Sequence, residues 1–491
     1  MKEKTMADKK PNVLMICTDH WPGSFLGVNG RTDIKTPTLD YLAANGVNFT
    51  NYYSECPVCI PARRSMMTGL SPKTHGDRVY SERMPMPDVK TLAQCFRDDG
   101  YQAFAVGKLH VYPQRDRIGF DDVILTEEGR YDFGEVDDYQ IWLGEHGYLG
   151  KEFLHGMGNN TYYTRPWHLD EQAHPTNWVT LQMMKQIKRK DPKRPAFFYC
   201  SYQFPHPPLV PLQPFLDMYD GIPLQPVLSD DWHDGSPIMQ YVCEGAGQYS
   251  SWERERARKA FFAQCTHIDN QIRLLIGTLR ECGLLEDTII VFLSDHGDML
   301  FDHDMVAKRL FYENATRIPM IFAGNPVLKC RECHAEGKLA VLADFMPTLL
   351  DLCRIPVPAT VEGIPLFSAQ SHPYVYGEVG EGTKATRMIR TDDYKLIYYP
   401  CGNVLQLFDM RKDRDERHNL AGDASLEHVL RQLSGLLVKE LHGNDLAWVK
   451  DGTLVGYPAP PYTKKTDFGL YNQRGYHWPA PKDYQSIGKN A

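Results

Sequence analysis

Short apolar runs alternate along this chain with stretches of helical spacing. Asn12–Cys17 (NVLMIC), Ala103–Val106, Ala196–Tyr202 (AFFYCSY) and Thr288–Leu293 (TIIVFL) are rich in β-branched or aromatic residues and do not alternate strictly with polar ones. That pattern predicts strands buried on both faces. Helical spacing is expected over Thr38–Asn45, over Thr91–Asp99 before Gly100, and over Ile268–Leu279, with Ile268, Ile272, Leu275, Ile276 and Leu279 on one face. Strands alternating with helices predict an α/β fold with a large, mostly parallel sheet.

Each of the four strands runs directly into unusual polar residues: Thr18-Asp19-His20, Gly107-Lys108-Leu109-His110, Pro205-His206-Pro207 and Ser294-Asp295-His296-Gly297. Ligands of parallel sheets bind beyond the carboxyl ends of the strands. These groups are therefore expected around one crevice. The segment from about Thr126 to Asn177 is rich in Gly, Tyr, His and acids without clear periodicity, and proline-dense stretches follow at Pro205–Pro214 and Pro223–Pro226. Both are expected to be surface insertions at the crevice mouth.

Near Leu366–Pro373 the pattern changes. Thr386–Arg390, Tyr394–Tyr399 and Leu405–Asp409 predict short strands, and a helix is expected over roughly Leu426–Leu441. This divides the chain into a catalytic α/β domain (1–370) and a smaller C-terminal α+β domain with an antiparallel sheet (371–491). From Gly452 the chain is dense in aromatics and proline, which predicts an extended tail. Packing on its own domain, or draping over a neighbouring subunit or the crevice mouth, both fit.

Composition narrows the function. The 491 residues carry 54 Lys+Arg against 62 Asp+Glu, a net charge of −8, which speaks against a nucleic-acid partner. No apolar run is long enough to span a membrane. Met1–Lys10 is basic, but the following run Val13–Cys17 is too short for the core of a signal peptide, so a cytoplasmic location is expected. Twelve scattered cysteines then predict mostly free thiols. Cys56-Pro57-Val58-Cys59 and Cys330-Arg331-Glu332-Cys333 lie too far apart for a zinc ribbon. The c-type haem spacing of Cys330 to His334 is set aside, because haem attachment normally follows export.

Cys59-Ile60-Pro61-Ala62-Arg63 precedes a helical run, Arg64–Leu70. A cysteine at a helix N-terminus beside Arg63 and Arg64 is expected to favour the thiolate. This C-x-P-x-R, followed by Met67-Thr68-Gly69, resembles the signature of the sulfatase family within the alkaline-phosphatase-like superfamily. Thr36-Pro37-Thr38-Leu39-Asp40, Gly107-Lys108-Leu109-His110, Pro205-His206-Pro207, Ser294-Asp295-His296-Gly297-Asp298 with Lys308 and Phe311-Tyr312-Glu313, and Leu407-Phe408-Asp409 with Asn419-Leu420 resemble further family motifs, in order from about Pro11 to Leu420.

The resemblance implies an alkaline-phosphatase-like sandwich and a sulfuric ester hydrolase acting on a sulfated sugar or an aryl sulfate. It implies that Cys59 is oxidised to formylglycine by a separate formylglycine-generating enzyme. Asp19, Asp295, His296 and the modified Cys59 would hold one divalent metal, calcium by family default, with magnesium or manganese as alternatives. His20 stands where the family often has a second acid, so it is either a ligand or an outer hydrogen-bonding residue. By the same resemblance, the hydrated formylglycine would attack sulfur, His206 or Lys308 would protonate the leaving alcohol, and His110 would take the proton that regenerates the aldehyde. Lys108, Lys308, His206 and His20 would face the substrate, and Arg63 would orient the diol. The family's polar residue after the signature helix has no evident counterpart, although His75 and Arg78 lie there. The partners expected are thus a small-molecule or oligosaccharide sulfate ester and the maturation enzyme, with no nucleic acid and no membrane; a homo-oligomer is compatible with the sequence. A phosphonate monoester or phosphodiester hydrolase on the same scaffold is the nearest alternative, disfavoured by Lys108 and His110. A non-catalytic homologue is disfavoured because Cys59, Asp19, Asp295 and Lys308 are all present.

Overall fold

The computed structural model describes residues 10–128, 136–232, 244–245, 249–328 and 337–461. The four predicted strands form the middle of one seven-stranded sheet. In chain order its strands are β1 (Asn12–Asp19), β2 (Val47–Asn48), β3 (Gln102–Gly107), β4 (Asp122–Leu125), β5 (Ala196–Pro205), β6 (Thr288–Ser294) and β7 (Met320–Ala323). Their spatial order is β2-β7-β6-β1-β5-β3-β4. Strands β6, β1, β5, β3 and β4 run parallel, whereas β7 is antiparallel to both of its neighbours.

Along β1, Val13, Met15 and Cys17 enter one apolar core while Leu14 and Ile16 enter the other. Both faces are covered, which is why no polar alternation marks the strand. In chain order the main helices are α1 (Pro37–Ala44), α2 (Cys59–Thr68), α3 (Leu92–Asp98), α4 (Asp138–Glu145), α5 (Pro175–Arg189), α6 (Ser251–Glu281), α7 (Phe345–Leu352) and α8 (Glu427–Glu440). Helices α1, α4, α5 and α6 pack on the Leu14 side; α2, α3 and α7 pack on the Val13 side.

Several expectations change. The predicted helix Ile268–Leu279 is only the end of the 31-residue α6, whose start is fixed by a Ser250–Glu253 capping box. The signature helix begins at Cys59 itself and stops at Thr68, because Gly69 adopts φ +66°. The segment after Thr126 is not simply a surface insertion. It contains α4, capped by Asp137 and Gln140, and sends Tyr139, Leu143 and Tyr162 into the core. Tyr and Leu in an acid-rich stretch lack a periodic signal, so their burial depends on what they meet in three dimensions.

Beyond residue 370, β8 (Val375–Val379), β9 (Thr386–Arg390), β10 (Tyr394–Tyr399) and β11 (Val404–Asp409) form an antiparallel sheet in that order. Val429, Leu433 and Leu437 of α8 cover one face through Ile389, Leu396 and Tyr398. Met388, Ile397 and Phe408 on the other face pack against Phe311 and Tyr312. Between the sheets, the buried Lys395 ammonium lies 2.7 Å from carboxylate oxygens of both Glu313 and Glu416. The beginning of the tail stays on this sheet, where Gly402 and Pro400 exchange backbone hydrogen bonds with Tyr457. The rest of the tail, and the Cys330–Cys333 pair, lie outside the described residues. Among the described residues no helix is long and apolar enough to cross a membrane, and the nine described cysteines are free thiols.

Candidate active site

Parallel register brings the polar strand ends together. In the order β6, β1, β5, β3, four adjacent strands deliver Asp295 and His296, Asp19 and His20, His206, and Lys108 to one crevice, while His110, two residues beyond Lys108, is buried with its ring 6.0 Å from that of Tyr80. A register shift after Cys17 sets Asp19 opposite Pro205, one residue before His206. The turns are tight. Gly107 has φ +106°, and a Cβ there would stand 1.9 Å from the carbonyl oxygen of Ser201. His20 and His110 hold φ of +71° and +63°, a conformation that costs energy for any residue with a Cβ.

Helix α2 enters the crevice with Cys59 at its first turn. The Cys59 Sγ lies 3.2 Å from His296 Nε2 and 3.5 Å from Asp19 Oδ1. One ligand atom each from Asp19, His20, Cys59 and His296 falls within 4.8 Å of the others. His296 Nδ1 lies 2.9 Å from the Gly297 carbonyl, to which it must donate, so the Nε2 lone pair points at this cluster. Asp295 accepts from Arg63 Nε at 2.9 Å and lies with its other oxygen 3.6 Å from His296 Nε2.

Arg63 is buried. Its Nη1 donates to the Lys108 carbonyl, the Tyr199 hydroxyl and the Ser201 hydroxyl at 3.0, 3.0 and 2.8 Å. Its Nη2 has no hydrogen-bond partner and lies 3.8 Å from Asp19 Oδ2. A guanidinium held this firmly, with one nitrogen left over, suits an oxygen-rich group bound beside Asp19. Lys108 Nζ donates to Asp19 Oδ2 and Glu128 Oε1, each at 2.5 Å. Glu127 fixes the same loop by accepting from the backbone N–H groups of Leu109 and His110 at 2.7 and 2.8 Å.

On the opposite side, Lys308 Nζ donates to His20 Nε2 and, at 3.0 Å, to His206 Nε2. Both rings must then carry their proton on Nδ1. His20 donates it to Asp298 at 2.6 Å, and His206 donates to the Pro207 carbonyl at 2.5 Å. Tyr162 also donates to Asp298. The single lone pair of His20 Nε2 is therefore engaged by Lys308.

Burial disfavours the Asp19 carboxylate, yet the Lys108 ammonium foremost more than offsets it and holds Asp19 well below the usual range. Burial, then Lys308, keeps His20 neutral and pushes His206 down to about 3. The thiolate expected at Cys59 is not favoured. Burial and the neighbouring Asp19 carboxylate push its thiol up to about 12, against the opposing pull of Lys308 and Lys108. The helix terminus and Arg63 suggest a thiolate, but Arg63 is committed to Asp295, and the Asp19 carboxylate lies 3.5 Å from the sulfur.

His75 and Arg78 do not join this cluster by their contacts: His75 meets Ser65, while Arg78 pairs with Glu378 and Asp445. Four residues carry parts of the site that sequence reasoning missed: Glu127, Glu128, Tyr162 and Asp298. Asp298 ends the quoted Ser294–Asp298 motif. Ser201 and Tyr199 were visible only as polar residues on the inner strand β5.

The family model for sulfatases matches residues 11–355. The chain is a sulfatase. A second model, for the C-terminal region of N-sulphoglucosamine sulphohydrolase, matches residues 301–442. The sulfatase is 34% identical to an arylsulfatase of Clostridium perfringens over 92% of this chain and 98% of that one. The structure of a protein in complex with its substrate D-glucosamine-2-N,6-O-disulfate superposes with a TM-score of 0.72 at 20% identity, covering 88% of this chain and 97% of that one. The phosphonate monoester hydrolase of Agrobacterium radiobacter superposes at 0.73 with 21% identity, over 91% and 100% of the two chains. The fold is thus shared by both activities. Family membership makes this sulfatase a sulfuric ester hydrolase.

Proposed function

We propose that the sulfatase hydrolyses the sulfate ester of a sulfated sugar at the Cys59 cluster, with residue 59 matured to formylglycine by a separate enzyme. The observation that carries this reading is the convergence of Cys59 Sγ, His296 Nε2 and an Asp19 oxygen, with Lys108 and Lys308 on either side. Asp19, Asp295, His296 and the modified side chain would hold one divalent cation. The carboxylate donors and the lone pair of His296 fit that role, and the oxygen-rich set favours calcium, or magnesium or manganese in its place. When bound, such a cation offsets sulfate charge, and the hydrated aldehyde supplies the nucleophile.

The chain's own residues do the rest. Lys108 and Lys308 neutralise sulfate oxygens, and Arg63 Nη2 orients the nucleophilic oxygen. Between His206 and Lys308, the proton for the leaving alcohol is assigned to Lys308. The His206 Nε2 lone pair accepts from Lys308 and carries no proton to give. The same reasoning makes His20 an outer positioning residue, because its Nε2 lone pair serves Lys308. His110 is assigned as the base that regenerates the aldehyde. The catalytic unit is taken as 1–370, with 371–491 as the C-terminal unit.

Support for a sugar comes from a pocket that opens beside the cluster, lined by His206, Glu128, Tyr139, Phe153 and Trp167. Aromatic faces with nearby polar groups suit a sugar ring. Two measurements test the reading. Mass spectrometry of the peptide containing Cys59, after expression beside a maturation enzyme, should show the aldehyde; an unmodified thiol throughout would defeat it. Turnover of sulfated mono- and disaccharides should exceed that of a phenylphosphonate ester; the reverse order would favour the phosphonate alternative.

A further inference from the structure

We propose that the cavity beside the sulfate cluster selects sulfate esters whose alcohol carries a positive charge, with Glu152 as the specificity-determining residue. This rests on the reading of the Cys59 cluster as the sulfate site. Glu128 and His206 connect the two regions, since each touches a lysine of the cluster and also lines the cavity.

The cavity wall is chemically unusual for an enzyme of anionic esters. Among the described residues no lysine or arginine lines it, whereas two carboxylates do, Glu128 and Glu152. Glu128 already answers the Lys108 ammonium, and Asp19 answers the same ammonium from the other side. Glu152 is 92% buried, at 8% exposure, and its Oε2 has no hydrogen-bond partner. An unanswered carboxylate oxygen at such depth is costly unless a ligand supplies the missing charge or donors. Four aromatic side chains, Tyr139, Phe153, Trp167 and Phe204, share the wall. Aromatic faces next to a carboxylate attract ammonium groups through the ring quadrupole. The chemistry therefore fits a zwitterionic substrate. Its sulfate end meets Lys108 and Lys308, and its cationic end meets Glu152 and the rings.

A primary ammonium on an amino sugar and a quaternary ammonium on a small alcohol share this chemistry, and the substrates chosen distinguish them. With the matured full-length enzyme, kcat/KM is measured for matched monosulfates of D-glucosamine and D-glucose and for choline sulfate. Cationic substrates are expected to exceed the matched glucose sulfates by about tenfold or more. In Glu152→Gln that ratio should fall towards one, with the thermal midpoint reporting that the variant is folded. A second measurement needs no variant: D-glucosamine should inhibit hydrolysis of 4-nitrophenyl sulfate more strongly than D-glucose. Equal rates for the glucosamine and glucose sulfates, with choline sulfate no better, would overturn the inference while leaving the sugar reading intact. Turnover of choline sulfate with no turnover of either sugar would uphold the inference and remove the sugar. A preference that survives in Glu152→Gln would overturn the role of Glu152.

Discussion

His20 Nδ1 lies 2.6 Å from a carboxylate oxygen of Asp298, and neither side chain has any exposure to solvent. That contact fixes the His20 proton on Nδ1 and leaves Nε2 to receive the Lys308 ammonium. Asp298 thereby positions a lysine it does not touch. Asp298→Ala should lower kcat by about 10–100-fold, the usual effect of losing a residue that orients such a histidine. Asp298→Asn keeps an acceptor oxygen for His20 and should lose less. Steady-state kinetics on an aryl sulfate check both; equal loss in the two variants would contradict the tautomer argument.

Gly107→Ala should unfold or distort the crevice. Its φ of +106° is strained for alanine, and the added Cβ would meet the Ser201 carbonyl at 1.9 Å. The contact is with backbone of the neighbouring strand, which leaves little room to yield. A loss of about 2–4 kcal/mol in unfolding free energy is expected. Lys108, the next residue, should move with the loop, so activity should fall further than stability alone explains. Denaturant unfolding and kcat/KM measured together separate the two effects.

Lys395→Met should be strongly destabilising although the lysine is far from the reaction. Its ammonium answers two buried carboxylates, Glu313 and Glu416, and its removal leaves both facing each other. Breaking such a group costs about 3–5 kcal/mol. Combining it with Glu313→Gln should recover part of that loss in denaturant titrations. Additive losses would show that the three groups are not coupled.

Asp230→Asn should destabilise the protein more at acid than at alkaline pH. Burial opposes the charged form of His303, but its hydrogen bond to Asp230 at 2.9 Å prevails and raises its pKa above the ordinary 6.5. A histidine raised on folding adds stability that is complete below the unfolded pKa and lost as pH rises through the folded one. The stability gap between wild type and Asp230→Asn should therefore be wider at pH 5 than at pH 9. Equal gaps across that range would show that the pair is not charged.

Much of the site was legible because its chemistry depends on local pattern. Asp19, Lys108, His206 and Asp295 each follow an apolar run that could only be a buried strand, and parallel strands end on the same side. Cys59 was legible because Pro61 and Arg63 follow it at signature spacing. Glu128 and Glu152 were not legible: carboxylates in an acid-rich stretch look solvated until a fold encloses them. Asp298 was in view within its motif, but nothing local distinguishes an acid that orients a histidine from one that faces water.

The sequence by itself determined the strand–helix alternation, the two-sided burial of the central strands and the identity of the residues at their ends. It determined these because hydrophobic spacing is a property of neighbours in the chain. Tertiary structure alone decided the protonation and pairing inside the crevice. The Cys59 thiol is held protonated there because burial and the Asp19 carboxylate, 3.5 Å from its sulfur, disfavour the thiolate. His20 turns towards Lys308 because Asp298, from another strand end, takes its other nitrogen. These outcomes depend on distance and burial between segments nearly 300 residues apart, and Coulomb energy is set by that separation rather than by order along the chain.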